Sequence, residues 1–495
     1  MIFLGIDCGT QSTKTIALDW ETGAVLASAH HAYGFLPNLP PGAMEQDPAE
    51  WVSAADSTVR QVLAALGPRR SEVRGIGVSG QQHGLVPLDQ NGRVVRPAKL
   101  WCDTSTAAQC GEITRHFGGA GELIRRIGNA MLPGYTAPKI LWLRQNEPEN
   151  WKRTATVLLP HDYLNFWLTG RACMEYGDAS GTALMDIAKR EWAADMVDFI
   201  APDLAGKLPP LQPSSKPAGV LKAGLAKDWG LSADVVVSSG GGDNMMGAIG
   251  TGNIQAGVVT VSLGTSGTLY AFSETPVADP KGEVAGFCDS TDHWLPLVCT
   301  MNLTLITEHV RNLFSWDFAA LDAALESVPA GAGGLLMLPY LTGERTPNLP
   351  HGTGVLHGLT IANFTPAHLA RAASEAVTMG LGYGLSRFRE LGVQPSEIRL
   401  TGGGSNSKVW RGICADVFGV PVVCLRGGEG AGLGAAIQAG WTFEGSANLP
   451  EICSRIVGLD ESTRVEPDAG KTDCYAAMLE KTLLLRETLH DRNLL

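Results

Sequence analysis

Two stretches of the chain combine residue types suited to handling phosphate. Asp7-Cys8-Gly9-Thr10-Gln11-Ser12-Thr13-Lys14 sets a carboxylate, three hydroxyls and an ammonium group around one glycine. A turn between two strands can aim several backbone N–H groups and hydroxyls at one anion, and Lys14 adds a point charge suited to a phosphate. Asp7 can hold Mg²⁺ through water, because that ion takes one or two carboxylates plus phosphate oxygens. An ordinary hairpin would use the same turn-forming residues. In Ser238-Ser239-Gly240-Gly241-Gly242-Asp243-Asn244-Met245-Met246-Gly247-Ala248, three glycines precede a carboxylate and an apolar helix. Glycines admit a ligand close to the backbone, and a helix start favours a negative group. Asp243 can there accept a hydroxyl proton as that oxygen attacks phosphorus; an N-cap requirement explains an aspartate equally well.

Two further loops follow strand-like segments. Gly80-Gln81-Gln82-His83-Gly84 can exchange hydrogen bonds with sugar hydroxyls, although a structural histidine bonded to loop carbonyls reads the same. Gly402-Gly403-Gly404-Ser405-Asn406 offers bare backbone against which a nucleotide can lie; a tight connection without a ligand has the same composition. Gly75-Ile76-Gly77-Val78-Ser79-Gly80 matches a dinucleotide pattern, but its Ile76/Val78 alternation is that of a strand. No G-x-x-x-x-G-K-[ST] sequence occurs, which excludes a P-loop kinase.

The elements that must position these residues alternate. Strands are expected over 3–7, 15–18 and 24–28, as a meander with turns between them. Asp47-Pro48-Ala49-Glu50 then starts a helix whose apolar face is Trp51, Ala55, Val59, Val62, Leu63 and Leu66. A strand over 73–78 follows, and meander, helix, strand is an α/β order with a mixed sheet. Later come a helix over 365–390, a strand over 398–401, a helix over 410–418, a strand over 422–425 and a helix over 432–439. The helical pattern of 472–491 fits packing on either half. Ile6 to Thr13 aligns on Val261 to Thr268 at a displacement of 255 residues, strand, Gly-Thr and hydroxyls in the same order. If this is a true repeat, two related domains each present a hydroxyl-rich hairpin. The division is expected near 215–240, after the proline-rich stretch 208–213, giving domains 1–235 and 236–495.

Bulk properties bound the function. At 495 residues, the chain suits two large domains. Its net charge of −12 advertises neither a nucleic-acid nor an anionic-membrane surface. No apolar run approaches a bilayer span, and the N-terminal stretch lacks the basic start of a secretory signal. The 10 cysteines show no Cys-x-x-Cys or zinc spacing, so reduced thiols in the cytoplasm are expected. Sixty glycines, clustered in short loops, point to many tight turns.

Taken in order, the motifs resemble the FGGY carbohydrate kinases over nearly the whole chain, and most closely their xylulose-phosphorylating members. The resemblance rests on Gly5-Ile6-Asp7-Cys8-Gly9-Thr10, Glu45-Gln46-Asp47-Pro48 with Trp51, and Gly80 to Gly84. It rests also on Gly134 to Asn146 with Lys139 and Trp142, on Pro339 to Pro347, and on Gly354 to Glu375, where Ser374 replaces a usual apolar residue. Gly241-Gly242-Asp243-Asn244 with Gln82-His83 looks like the xylulose branch. The resemblance implies two ribonuclease-H-like α/β domains around a central cleft, as in actin and the heat-shock ATPases. It implies ATP and Mg²⁺, a small sugar as partner, no nucleic acid or membrane, and a homodimer, as relatives often are. Asp243 would be the base and Asp7 the Mg²⁺ ligand. Gln82, His83, Asp243, Asn244, Trp101 and Asp103 would contact the sugar. Thr10, Gln11, Ser12, Lys14, Thr265 and Ser266 would hold phosphates, with Gly402, Gly403, Gly404 and Asn406 at the adenosine end. Many bacterial relatives read Trp-Asn-Asp-Gly-Arg where this chain has Trp101-Cys102-Asp103-Thr104-Ser105, so the arginine is lost. The expected reaction is ATP plus D-xylulose giving D-xylulose 5-phosphate. Ribulose, glycerol or erythritol as acceptor is the near alternative, and an actin-like ATPase indifferent to sugars the distant one.

Overall fold

The computed structural model describes residues 1–427, 430–445 and 448–495. The first compact unit comprises Met1–Gln255, Phe272–Pro296 and Glu429–Val457. Its main sheet begins with β1 (Ile2–Cys8), β2 (Ser12–Asp19) and β3 (Val25–Ala32), the expected antiparallel meander. The helix Pro48–Leu66 follows, with Asp47 as N-cap accepting the Ala49 N–H at 3.0 Å and Pro48 in the first turn. β4 (Val73–Gly80) then lies parallel to β1. Two short strands, Val236–Val237 and Gly241–Gly242, pair in parallel with β4. β1 and β4 of this sheet are apolar and buried, with Ile2, Leu4, Ile6, Ile76 and Val78 fully inside, as both of their faces are covered, whereas the edge strand β3 is largely exposed.

One cover comes from far along the chain. The helix Gly430–Phe443 packs backbone to backbone on the sheet and on the helix Asp243–Gly250. A Cβ on Gly77 would stand 1.9 Å from the Ala435 carbonyl oxygen, and one on Gly434 would stand 1.8 Å from that of Met246. Only glycine permits such approaches. The compact units are therefore interleaved along the chain rather than cut once near residue 235. The apolar, glycine-rich face of a late helix finds its partner in the first sheet.

The second unit comprises Ala256–Ala271, Leu297–Gly428 and Gly458–Leu495. Its sheet repeats the same order of strands. β5 (Val258–Leu263), β6 (Gly267–Ala271) and β7 (Leu297–Thr300) form a meander, and β8 (Glu397–Thr401) and β9 (Val422–Leu425) run parallel beside β5. Both units thus have the ribonuclease-H-like arrangement of a three-stranded meander extended by parallel strands. The two hairpins differ by one residue. Cys8 pairs with Thr13, leaving four residues in the first turn, whereas Leu263 pairs with Gly267, leaving three. The ungapped alignment of Thr13 on Thr268 therefore slips by one position beyond the turn, which reverses the face each side chain meets.

The helix Ala469–Asp491 belongs to the second unit rather than packing back on the first. Its Tyr475 hydroxyl donates to Glu375 Oε1 at 2.8 Å and accepts from Arg371 at 2.7 Å, both on the long helix Pro366–Glu390. On that helix Ser374 is fully buried, and its hydroxyl finds no hydrogen-bond partner among the described residues. An unsatisfied buried hydroxyl is costly and alanine is the better helix former. Ser374→Ala is expected to stabilise the protein by about 1 kcal/mol, read as a higher urea midpoint at unchanged slope. No helix among the described residues is long and apolar enough to cross a membrane.

Candidate active site

The site of the first unit lies at the carboxyl ends of its parallel strands, where α/β sheets bind ligands. Asp7 on β1 and Gly241 both pair with Ser79 of β4, so three neighbouring strands end in one row. β1 leads into the turn Gly9–Gln11, β4 into Gln81-Gln82-His83, and Gly241–Gly242 into Asp243, the first residue of its helix. Lys14 pairs with Asp7 across the hairpin, which places both side chains on one face. The Ser79 hydroxyl donates to Asp7 Oδ1 at 2.8 Å.

Asp243 is joined to the loop after β4 through Asn244. Its Oδ1 accepts the Asn244 main-chain N–H at 2.9 Å and the Asn244 side-chain amide at 3.2 Å. The same amide donates to Gln82 Oε1 at 2.5 Å, and Gln82 Nε2 reaches Met245 Sδ at 3.2 Å. Burial, reinforced by the negative charges of Asp7 and Asp178, pushes the Asp243 carboxyl up to about 7. A group poised there can exchange protons at neutral pH. Used as a base in the free enzyme, it makes kcat/KM fall about tenfold per pH unit below about pH 7. Its raised value also means that the folded chain holds a proton between about pH 4 and pH 7 that the unfolded chain has lost. Stability from this group is fully present below that window and is lost as pH rises through about 7. Asp243→Asn should therefore match the parent in stability near pH 4 and exceed it above pH 7, measured as denaturation midpoints across pH.

The loop that carries Asp243 is pinned from the late helix. Gln438 Oε1 accepts the Gly240 N–H and the Ser238 hydroxyl, both at 2.8 Å, while its Nε2 donates to the Gly240 carbonyl at 3.0 Å. Nothing local in the sequence points to Gln438, because its partners are about 200 residues earlier. The hairpin turn is held likewise. Thr10 Oγ1 accepts the Trp101 indole N–H at 2.9 Å and donates to Gln81 Oε1 at 3.3 Å. Gln46 Nε2 donates to the Thr10 carbonyl at 2.6 Å, and its Oε1 receives Gln81 and Trp51. The Glu45-Gln46-Asp47-Pro48 and Trp51 stretch is thus the support of the turn.

The six residues expected around a sugar do not all meet. Gln82, His83, Asp243 and Asn244 gather at the strand ends, and Trp101 reaches the hairpin through Thr10. Asp103 does not reach them. It is fully buried, with Oδ1 accepting from Ser105 N (2.9 Å) and Oγ (2.6 Å) and Oδ2 from Met44 N (2.9 Å) and Lys99 Nζ (3.1 Å). Its lone pairs are spent within the protein, so it fixes the loop instead of facing a ligand. Lys99 also pairs with Glu45 at 3.1 Å and lies 4.0 Å from the Trp142 ring centre. The loop thus keeps a buried cation, with Ser105 standing where many relatives carry arginine.

Thr10, Ser12 and Lys14 are half-buried and Gln11 is exposed at the turn of the first unit. In the second unit Thr265 is exposed and Ser266 half-buried in the β5–β6 turn. Ser262 of β5 pairs with Thr401 of β8, so this turn and the Gly402–Asn406 loop leave the same end of neighbouring strands. Gly402, Gly403 and Asn406 are exposed there, while Gly404 is buried. No group of three His, Cys, Asp or Glu side chains able to cage a metal occurs among the described residues. Asp7 and Asp243 instead stand close enough for one charge to raise the other, a pair that a water-borne cation bound mainly to phosphate would relieve.

The FGGY carbohydrate kinase N-terminal domain matches residues 2–250 and the C-terminal domain residues 259–443. The xylulose kinase of Haemophilus influenzae is 43% identical, covering 97% of this chain and 99% of its own. That of Escherichia coli is 37% identical, covering 96% of each. A crystal structure described as a xyloylose kinase from Brucella ovis superposes with a TM-score of 0.93 at 32% identity, over 99% of this chain and 100% of that one. With both family domains matched in order and the paired meander sheets in place, the chain belongs to the FGGY family of carbohydrate kinases.

Proposed function

We propose that this kinase transfers the terminal phosphoryl group of ATP to D-xylulose, giving D-xylulose 5-phosphate and ADP. The observation that carries the reading is the hydrogen-bonded join between Asp243 and the Gln82 loop through Asn244, which sets a carboxylate poised near neutrality beside hydroxyl-binding amides. Its support for xylulose over other acceptors comes from the full-length relatives that carry that name.

In this mechanism Gln82, His83 and Asn244 orient the sugar, with the Trp101 ring beside the hairpin. Asp243 receives the proton of the terminal hydroxyl as that oxygen bonds to phosphorus and the bond to ADP breaks. Because the transition state is loose, positioning and charge neutralisation supply most of the acceleration. Thr10, Gln11, Ser12 and Lys14 offer hydroxyls, backbone N–H groups and an ammonium to the phosphates, with Thr265 and Ser266 as their second-unit counterparts. Gly402, Gly403, Gly404 and Asn406 serve the adenosine end. Asp7 would hold Mg²⁺, which when bound neutralises phosphate charge. The reading also takes the protein to be a cytoplasmic homodimer.

Purified protein is to be assayed with D-xylulose, D-ribulose, glycerol and erythritol. The expected result is a kcat/KM for D-xylulose at least about tenfold above each of the others. An equal or higher value for another acceptor overturns the assignment of substrate, and ATP hydrolysis unaffected by any of them overturns the kinase site.

A further inference from the structure

The turn from Gly9 to Ser12, between β1 and β2, is fixed through its carbonyl groups. The Gly9 carbonyl accepts the Tyr33 hydroxyl at 2.7 Å, with Gln81 Nε2 a longer 3.5 Å away. The Thr10 carbonyl accepts Gln46 Nε2 at 2.6 Å, and the Gln11 carbonyl accepts the Tyr33 main-chain N–H at 3.0 Å. The Ser12 carbonyl closes the turn on the Gly9 N–H at 2.9 Å. Every carbonyl of the turn is thus engaged within the protein. In a planar trans peptide the C=O of one residue and the N–H of the next point in opposite directions. Holding the carbonyls of Gly9, Thr10 and Gln11 therefore sets the direction of the N–H groups of Thr10, Gln11 and Ser12. The Thr10 and Gln11 N–H groups donate to no main-chain carbonyl among the described residues. The Thr10 side chain has no proton to add, since its hydroxyl already donates to Gln81 Oε1 at 3.3 Å. Successive N–H groups of one turn form a concavity for an anion, and a carbonyl swung round among them would repel it.

Tyr33 supplies two of these three restraints. It follows directly on β3, and its main-chain bond to Gln11 continues the β2–β3 ladder. The side chain is half-buried and packs against the core of the first sheet. Its oxygen also lies 3.3 Å from Cys8 Sγ and 3.2 Å from Thr13 Oγ1. Burial above all, and then the Cys8 thiol, holds the hydroxyl far above the ordinary phenol range, so it keeps its proton and stays a donor. Phenylalanine would pack as well; the oxygen serves the turn.

The turn of the second unit is restrained in the same way by other parts. There the Gly264 carbonyl accepts the Thr304 N–H at 3.1 Å and the Thr265 carbonyl accepts the Leu303 N–H at 3.3 Å. The start of the helix Thr304–Leu313, where N–H groups lack partners within the helix, holds there what Tyr33 and Gln46 hold in the first turn.

We infer that Tyr33 is a positioning residue for the nucleotide phosphates: by holding the Gly9 and Gln11 carbonyls it directs the N–H groups of Thr10 and Ser12 to the phosphate. The inference rests on the reading of Thr10–Ser12 as a phosphate turn.

Tyr33→Phe removes one oxygen and frees the Gly9–Thr10 peptide. It is expected to raise KM for ATP and Kd for a non-hydrolysable ATP analogue about tenfold each, with KM for D-xylulose within about twofold of the parent. Equal rises in the two KM values would assign the hydroxyl to the fold alone and overturn the inference. Lys14→Met, measured beside it, tests the turn itself. If Lys14→Met weakens the analogue and Tyr33→Phe does not, the inference is overturned while the phosphate reading stands. If Lys14→Met leaves the analogue bound as before, the phosphate reading falls and the inference with it. Should Tyr33→Phe yield no folded protein, Thr13→Val, which keeps the phenol but strips a neighbour from its oxygen, decides by the same criterion.

Discussion

Asp243→Ala is expected to lower kcat by about 10²–10⁴-fold, the range that a positioned general base contributes. The nucleotide should bind as before, because the hydroxyl-bearing turns Thr10–Ser12 and Thr265–Ser266 are untouched. The expectation follows from placement as much as from residue type. Asp243 opens a helix whose start is fixed by Gln438 through Gly240 and whose first side chain is tied through Asn244 to Gln82. The N-cap position itself belongs to Gly242, so Asp243 is not held there as a cap. Normal turnover in the variant would leave Asp243 no catalytic part.

Gly434→Ala should damage the protein against the usual rule for helices. In the interior of an ordinary helix, exchanging glycine for alanine gains about 1 kcal/mol. Here the added methyl would stand 1.8 Å from the Met246 carbonyl oxygen and 2.9 Å from the Gly250 nitrogen, so the helix Gly430–Phe443 must move off the helix Asp243–Gly250. Overpacking of this kind costs about 1–3 kcal/mol, and the expected net change is a loss measured as a lower urea midpoint. Because Asp243 heads the displaced helix, kcat should fall as well, by about tenfold or more, as small misplacements of reacting groups do. Equal or greater stability in the variant would show that the two backbones are not packed as described.

What was legible in the sequence was local. The hairpin after Asp7, the helix capped by Asp47, and the glycines leading into Asp243 obey short-range turn and cap rules, and each stands where those rules put it. The boundaries of β9 and of the helix Pro366–Glu390 followed from periodicity and flanking proline in the same way. The long-range parts were not legible. Gln438 is an ordinary residue of an apolar helix until that helix lies on the first sheet, and Tyr33 follows its strand with no spacing to mark it. Asp103 entered the sugar set through the family resemblance alone, whereas in the structure its oxygens accept from Met44, Lys99 and Ser105. Its neighbour Lys99, four positions earlier, meets it inside the protein and closes the pair off. The repeat of the two hairpins was visible in composition, but one residue fewer in the second turn shifts the equivalences beyond it.

The central claim is that the Asp243 carboxylate meets the sugar hydroxyl that is phosphorylated. A crystal structure of the protein with D-xylulose and a non-hydrolysable ATP analogue measures this directly. The account predicts an Asp243 oxygen at about 2.6–3.2 Å from the terminal hydroxyl oxygen, with Gln82 and His83 on the same sugar. A sugar bound with its terminal hydroxyl out of reach of that carboxylate, or one bound away from the ends of β1 and β4, would contradict it.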